Sequence, residues 1–252
     1  MTKQTACLAS LALGGALLSV SGARADVKIV QNVAISNPQL DAMLQSASPE
    51  QKAQMARMGL AGNSVKTGYL SGRRSRYDLS ALTSIIADLN ANKIYTLNRG
   101  ARTYSAQTYS ATAGRASGKG MNASLTPTGK TKRILGHVCR GYHLSLTSPS
   151  MPGSLISGDI WAAPDLPQPS VSVLSAGPVA SLQSQWKKIK GMPLQVLMTI
   201  SGSPVGNTTV KVTTQAISTR PLPASVFAIP AGYKSVAPGA NRMGGMMGGM
   251  GR

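Results

Sequence analysis

TKRILGHVCRGYHLSL, residues 131–146, sets one cysteine between two histidines, and its reading as a metal site, a reactive thiol or a strand decides how the rest of the chain is read. Extended, the segment places Ile134, Val138, Tyr142, Leu144 and Leu146 on one mostly apolar face, with Arg140 as the exception, and His137, Cys139 and His143 on the other. Six residues of strand span roughly 20 Å, so both histidines cannot reach one ion whose ligand bonds are about 2 Å long. His137 and Cys139, about 7 Å apart at their Cα atoms, would be two ligands only. No neighbouring residue is placed to lower the thiol pKa, as a nucleophilic cysteine requires. The stretch reads as a strand.

Working outward, the same two-residue period recurs. DVKIVQNVAI alternates Val27, Ile29, Gln31, Val33 and Ile35 on one face and opens the sheet. Residues 64–80, 83–107, 131–148 and 154–164 read as strand runs, with turn signals at SGRR, LNANK, LNRGA and SPSMPGS. PLQVLMTISG, NTTVKVTTQAIST and ASVFAIPAGYKSV supply the last strands of an antiparallel meander. Only two segments change to a helical period. In SASPEQKAQMARMGLAG, Ser48 can cap, Pro49 suits the first helical position and Gln51 completes a capping box. Leu40, Met43, Leu44, Met55, Met58 and Leu60 form the apolar side of the helical segments there. The second, ending in QSQWKKIKG, carries Trp186 with Lys187, Lys188 and Lys190 behind it.

The ends read differently. Lys3, the apolar run CLASLALGGALLSV and Ala23-Arg24-Ala25 have the form of a secretory signal peptide over residues 1–25, which points to a periplasmic or secreted protein. Cleavage there lowers the formal charge of +19 by Lys3 and Arg24 to +17, and removes Cys7, leaving Cys139 without a disulfide partner. So large an excess favours an anionic envelope surface as neighbour. Basic runs interleaved with aromatics, which single-strand binders use, are missing, and nucleic acid is not expected. Residues 237–252 form a Gly/Met-rich tail, expected to be disordered, in which Met243, Met246, Met247 and Met250 offer soft thioethers suited to Cu(I), with His137 as a further ligand in that alternative.

Catalytic motifs fail on inspection. TPTGKT resembles the end of a phosphate-binding loop, but Ser124 stands where its first glycine is needed. There is no Gly-x-Ser-x-Gly elbow, and the seven carboxylates Asp26, Asp41, Glu50, Asp78, Asp88, Asp159 and Asp165 are scattered. Neither an enzyme nor a bound cofactor is expected.

The strand series also resembles a known family. The pattern Thr-x-x-Ile-x-Gly-x-x-Cys-x-x-Tyr from Thr131 to Tyr142, and Phe-x-Ile-Pro-x-Gly-Tyr-Lys from Phe227 to Lys234, look like the exported bacterial family known as domain of unknown function 4412. That resemblance implies a lipoprotein-carrier-like fold over residues 26–236. The expected class is α+β, a strongly curved antiparallel sheet forming an unclosed half-barrel, with helices over its concave face. It also implies a hydrophobic cleft for a lipid, lipoprotein or other amphipathic ligand, and no reaction. On this expectation Met43, Met55, Met58 and Trp186 line the cleft, while Arg73, Arg74, Arg76, Lys187 and Lys188 stand at its rim to attract anionic headgroups.

Overall fold

The computed structural model describes residues 26–58, 62–109, 122–147, 153, 155–169, 185–202 and 206–238, with the side chains of Leu40 and 55–58 left out. Residues 1–25, read above as a signal peptide, and the methionines Met243, Met246, Met247 and Met250 lie outside the described residues, as does most of the second helical segment.

The architecture is one 12-stranded sheet. Strands β1 (Val27–Ser36), β2 (Asn63–Ser71), β3 (Arg74–Asp78), β4 (Thr83–Asp88), β5 (Lys93–Asn98) and β6 (Thr103–Thr108) form one antiparallel meander. A second meander runs through β7 (Asn122–Ile134), β8 (His137–Thr147), β9 (Leu155–Ala163), β10 (Met192–Ser201) and β11 (Thr208–Ser218). The meanders join where β11 pairs antiparallel with β1, so the middle of the sheet is built from the two ends of the chain. The sheet curves without closing, and β7 remains an edge. The β2–β3, β4–β5 and β5–β6 turns fall where the sequence signals them, with Gly72, Asn92 and Arg102 at positive φ.

The stretch 131–146 departs from the single strand expected of it. It is a hairpin: β7 ends at Ile134, Leu135 (φ 49°) and Gly136 (φ 85°) make the turn, and β8 begins at His137. Two positive φ values are what a two-residue turn between twisted strands demands. Gly136 meets that demand without strain, whereas leucine is not a residue that signals it.

The C-terminal strand expectation is also corrected. Ala224–Phe227 is a short 3-10 helix, and only Lys234 and Ser235 extend the sheet, as β12, parallel to β6. Proline interrupts the run on both sides, at Pro223 and Pro230, and proline cannot donate to a ladder. The segment serves instead to bury Phe227 beneath the Arg74 guanidinium, 5.0 Å from the ring centroid.

Helices α1 (Pro38–Ser46) and α2 (Pro49–Met58) follow β1. Asn37 caps α1: its Oδ1 accepts from the Gln39 N–H at 2.9 Å, and its Nδ2 donates to Thr208 Oγ1 at 2.7 Å, which ties the helix start to β11. At α2 the capping box forms reciprocally, Gln51 N–H to Ser48 Oγ at 3.3 Å and Ser48 N–H to Gln51 Oε1 at 2.9 Å. Most described residues of both helices are exposed, and Met43 is 50 % exposed.

Burial is concentrated in two clusters. Leu125, Tyr142, Leu144, Leu146, Ile160 and Val196 form one, with Ile189 and Trp186 laid over them. Val27, Leu70, Cys139, Ala163, Leu166, Met192 and Leu194 belong to the other. Cys139 is thus a packing residue. Burial pushes its thiol pKa up, the Asp165 charge adds to this, and nearby Lys132 opposes it only in part.

Candidate functional site: an apolar cavity with one cation

Inward-facing positions of five neighbouring strands, β3, β2, β1, β11 and β10, enclose a cavity of about 260 Å³. Register makes the wall continuous: Val33 pairs with Val212, and Val212 with Val196. Ile29, Leu70, Met192, Met198 and Val210 extend it, and Tyr77 and Leu79 bound it on the β3 side. Burial of Tyr77 raises its phenol pKa, keeping it neutral.

Pro169 and Trp186 complete the lining from outside the sheet. Two hydrogen bonds hold this cover. Gln168 Nε2 donates to the Trp186 carbonyl at 2.7 Å, and the Lys190 N–H donates to the Tyr142 hydroxyl at 3.1 Å. The Trp186 indole N–H is buried with no hydrogen-bond partner among the described residues.

Two strongly polar side chains interrupt the wall, Gln31 and Lys66, and they face each other across β1 and β2. Gln31 Nε2 donates to the Pro193 carbonyl and to Thr214 Oγ1, both at 3.3 Å. Lys66 Nζ donates to the Leu79 carbonyl. Burial lowers the Lys66 ammonium pKa, because a charge in an apolar wall has lost hydrating water.

The residues expected at the cleft are distributed unevenly. Trp186 lines the cavity, and Lys187 and Lys188 follow it as exposed residues. Met43 is solvent-exposed on α1, and the side chains of Met55 and Met58 lie outside the described residues. Arg73 is exposed in the β2–β3 turn and donates to the Leu89 carbonyl at 3.3 Å. Arg74 and Arg76 alternate with Tyr77 and so occupy the opposite face of β3. There Arg74 covers Phe227, and Arg76 binds Asp78 at 2.9 Å and the Val226 carbonyl at 3.1 Å. These two arginines are structural clamps for the C-terminal segment. Lys66 and Gln31 were not singled out by sequence.

The outer face of β8 and β9 brings together groups the sequence left scattered. His143 Nδ1 lies 2.9 Å from Asp159 Oδ1, and its Nε2 lies 3.5 Å from Ser157 Oγ, the order of a nucleophile, base and orienting acid. Both strands are paired on both sides, so their backbone N–H groups are committed to the ladder. His137 has its own partner, Asp165, at 2.6 Å. Among the described residues no three His, Cys, Asp or Glu side chains converge as a metal site.

The architecture is a single open sheet with an apolar cavity on one face. A family model described as a domain of unknown function, DUF4412, matches residues 41–233, and the chain belongs to that family. A comparison with curated proteins found no match. Among solved structures, a LolA superfamily protein from Nitrosomonas europaea is similar at 8 % identity and a TM-score of 0.31, over 81 % of this chain and 90 % of that one. A domain from Vibrio parahaemolyticus, proposed to be an outer membrane lipoprotein-sorting protein, is similar at 9 % identity and a TM-score of 0.29, over 81 % and 89 % of the two chains. At TM-scores this low, the functional reading rests on the cavity's own chemistry.

Proposed function

We propose that this protein is a non-catalytic, periplasmic binding protein that holds one amphipathic ligand, an acyl chain or comparable lipid, in the cavity between the sheet and Trp186. The observation that carries this reading is the continuous aliphatic wall of Val33, Val212, Val196 and Met198, which among the described residues faces a cavity and not another packed layer. Empty apolar cavities cost stability, and an alkyl chain is the ligand such walls suit.

Size narrows the class. Pockets for drug-sized ligands measure roughly 300–1,000 Å³, and the cavity, at about 260 Å³, falls just below that range. That volume suits a single acyl chain. In this reading α1 and α2, which follow directly on β1 and carry the exposed Met43, are the elements that cover the concave face once a chain is bound. The basic surface, including Lys187 and Lys188 beside Trp186, draws the protein toward anionic envelope lipid.

The test is titration with the neutral, environment-sensitive dye N-phenyl-1-naphthylamine. Saturable binding near one dye per chain is expected, and Val212→Trp, which fills the cavity, is expected to abolish it. A dye that fails to bind, or that binds the filled variant equally well, overturns the proposal.

A further inference from the structure

Among the described residues, Lys66 is the one charged side chain in the cavity wall, set among Ile29, Val33, Leu70 and Val212. Its Nζ donates to the Leu79 carbonyl, which uses one of an ammonium's three donors. None of the ion pairs among the described residues includes it. Its cross-strand neighbour cannot substitute for a counter-charge: Gln31 is neutral, and its Nε2 is committed to Pro193 and Thr214. Half-buried in an apolar wall, this ammonium has lost part of its hydration, and an opposite charge beside it would be favourable. A cavity built for a neutral chain would place an aliphatic residue there instead.

We propose that Lys66 is the headgroup subsite of this cavity, and that the ligand is a single-chain carboxylate whose oxygens accept hydrogen bonds from Lys66 Nζ while its alkyl chain lies along the valine wall. The inference rests on the cavity-binding reading above and deepens it by naming the ligand class. One cation in about 260 Å³ suits a compact, singly charged group. Phosphate recognition characteristically uses several donors, often the planar forks of arginine. The two arginines of β3 point away from the cavity, on the face that holds Phe227.

Competition against the neutral dye tests this, with dodecanoate and dodecan-1-ol as probes of equal chain length. In the natural protein dodecanoate is expected to bind at least about tenfold more tightly than the alcohol, the equivalent of one charge-assisted hydrogen bond. Lys66→Met is expected to bring the two affinities together, with dye and alcohol binding retained, while Lys66→Arg keeps the preference. Lys66→Met removes one charge and leaves every other cation in place, so a preference arising from the general positive surface would survive it and overturn the proposal. Equal affinities in the natural protein would overturn it as well, and would leave the cavity reading standing. Failure of the dye itself to bind would overturn both.

Discussion

Tyr77 lies across Gly68, its register partner on β2, so closely that a methyl group on Gly68 would sit 3.0 Å from Tyr77 Cε1 and 2.8 Å from Ile29 Cγ2. Glycine here lets an aromatic ring from β3 reach over β2 toward β1, and both Tyr77 and Ile29 line the cavity. We predict that Gly68→Ala lowers stability by about 1–3 kcal/mol, the usual result of overpacking, and weakens dye binding by displacing Tyr77. Denaturant unfolding and dye titration of the same variant check the two effects together; unchanged stability would show that the ring yields at no cost.

Leu135 holds φ 49° in the β7–β8 turn and is half exposed. A left-handed conformation costs an ordinary L residue about 1–2 kcal/mol and asparagine less. Leu135→Asn is therefore predicted to stabilise the protein by about 0.5–1 kcal/mol, read as a higher Tm. A lower Tm would mean that the leucine side chain makes a contact worth more than the strain.

Asp78 accepts from Arg76 at 2.9 Å, Arg99 at 2.5 Å and Ser84 Oγ at 2.7 Å. Burial raises its pKa, but the Ser84 hydrogen bond and the two guanidiniums outweigh that and hold it below the ordinary carboxylate value. A pKa depressed on folding contributes stability that is fully present above the unfolded value, about 3.9, and is lost as pH falls through the native one. Asp78→Asn is predicted to cost about 2 kcal/mol at neutral pH, with the gap to the natural protein closing in acid. A gap independent of pH would place the cost in packing and not in charge.

Cys139 is fully buried, its Sγ donating to the His137 carbonyl at 3.8 Å. A thiol this enclosed and with a raised pKa should resist maleimide in the native protein and react on unfolding. Cys139→Ser should destabilise by about 1–3 kcal/mol, because it buries a hydroxyl in an apolar cluster. Rapid labelling of the folded protein would contradict its packing role.

The strands and most turns were legible because two-residue alternation and Asn/Gly signals are local. The α2 capping box was legible for the same reason: Ser48 and Gln51 meet within one turn. The hairpin at Leu135 was hidden because sheet pairing, and not local preference, holds a leucine at positive φ. Strand parity explains the site. On β3 both faces are covered, Tyr77 by the cavity side and Arg76 by Val226, so alternation could not say which residues faced the ligand. On β2 the signal was present: Leu70, Gly68 and Lys66 share a face, and an apolar Leu70 pointing inward carries Lys66 inward with it. Arg73, Arg74 and Arg76 form a denser positive run than the lone Lys66, although Arg74 and Arg76 serve the C-terminal segment.

The most direct measurement of ligand binding is native mass spectrometry of the protein purified without detergent from cells that express it. A non-covalent added mass corresponding to one single-chain lipid, released by organic solvent, is the predicted result. Bare polypeptide in repeated preparations, or an added mass of copper alone, would contradict it.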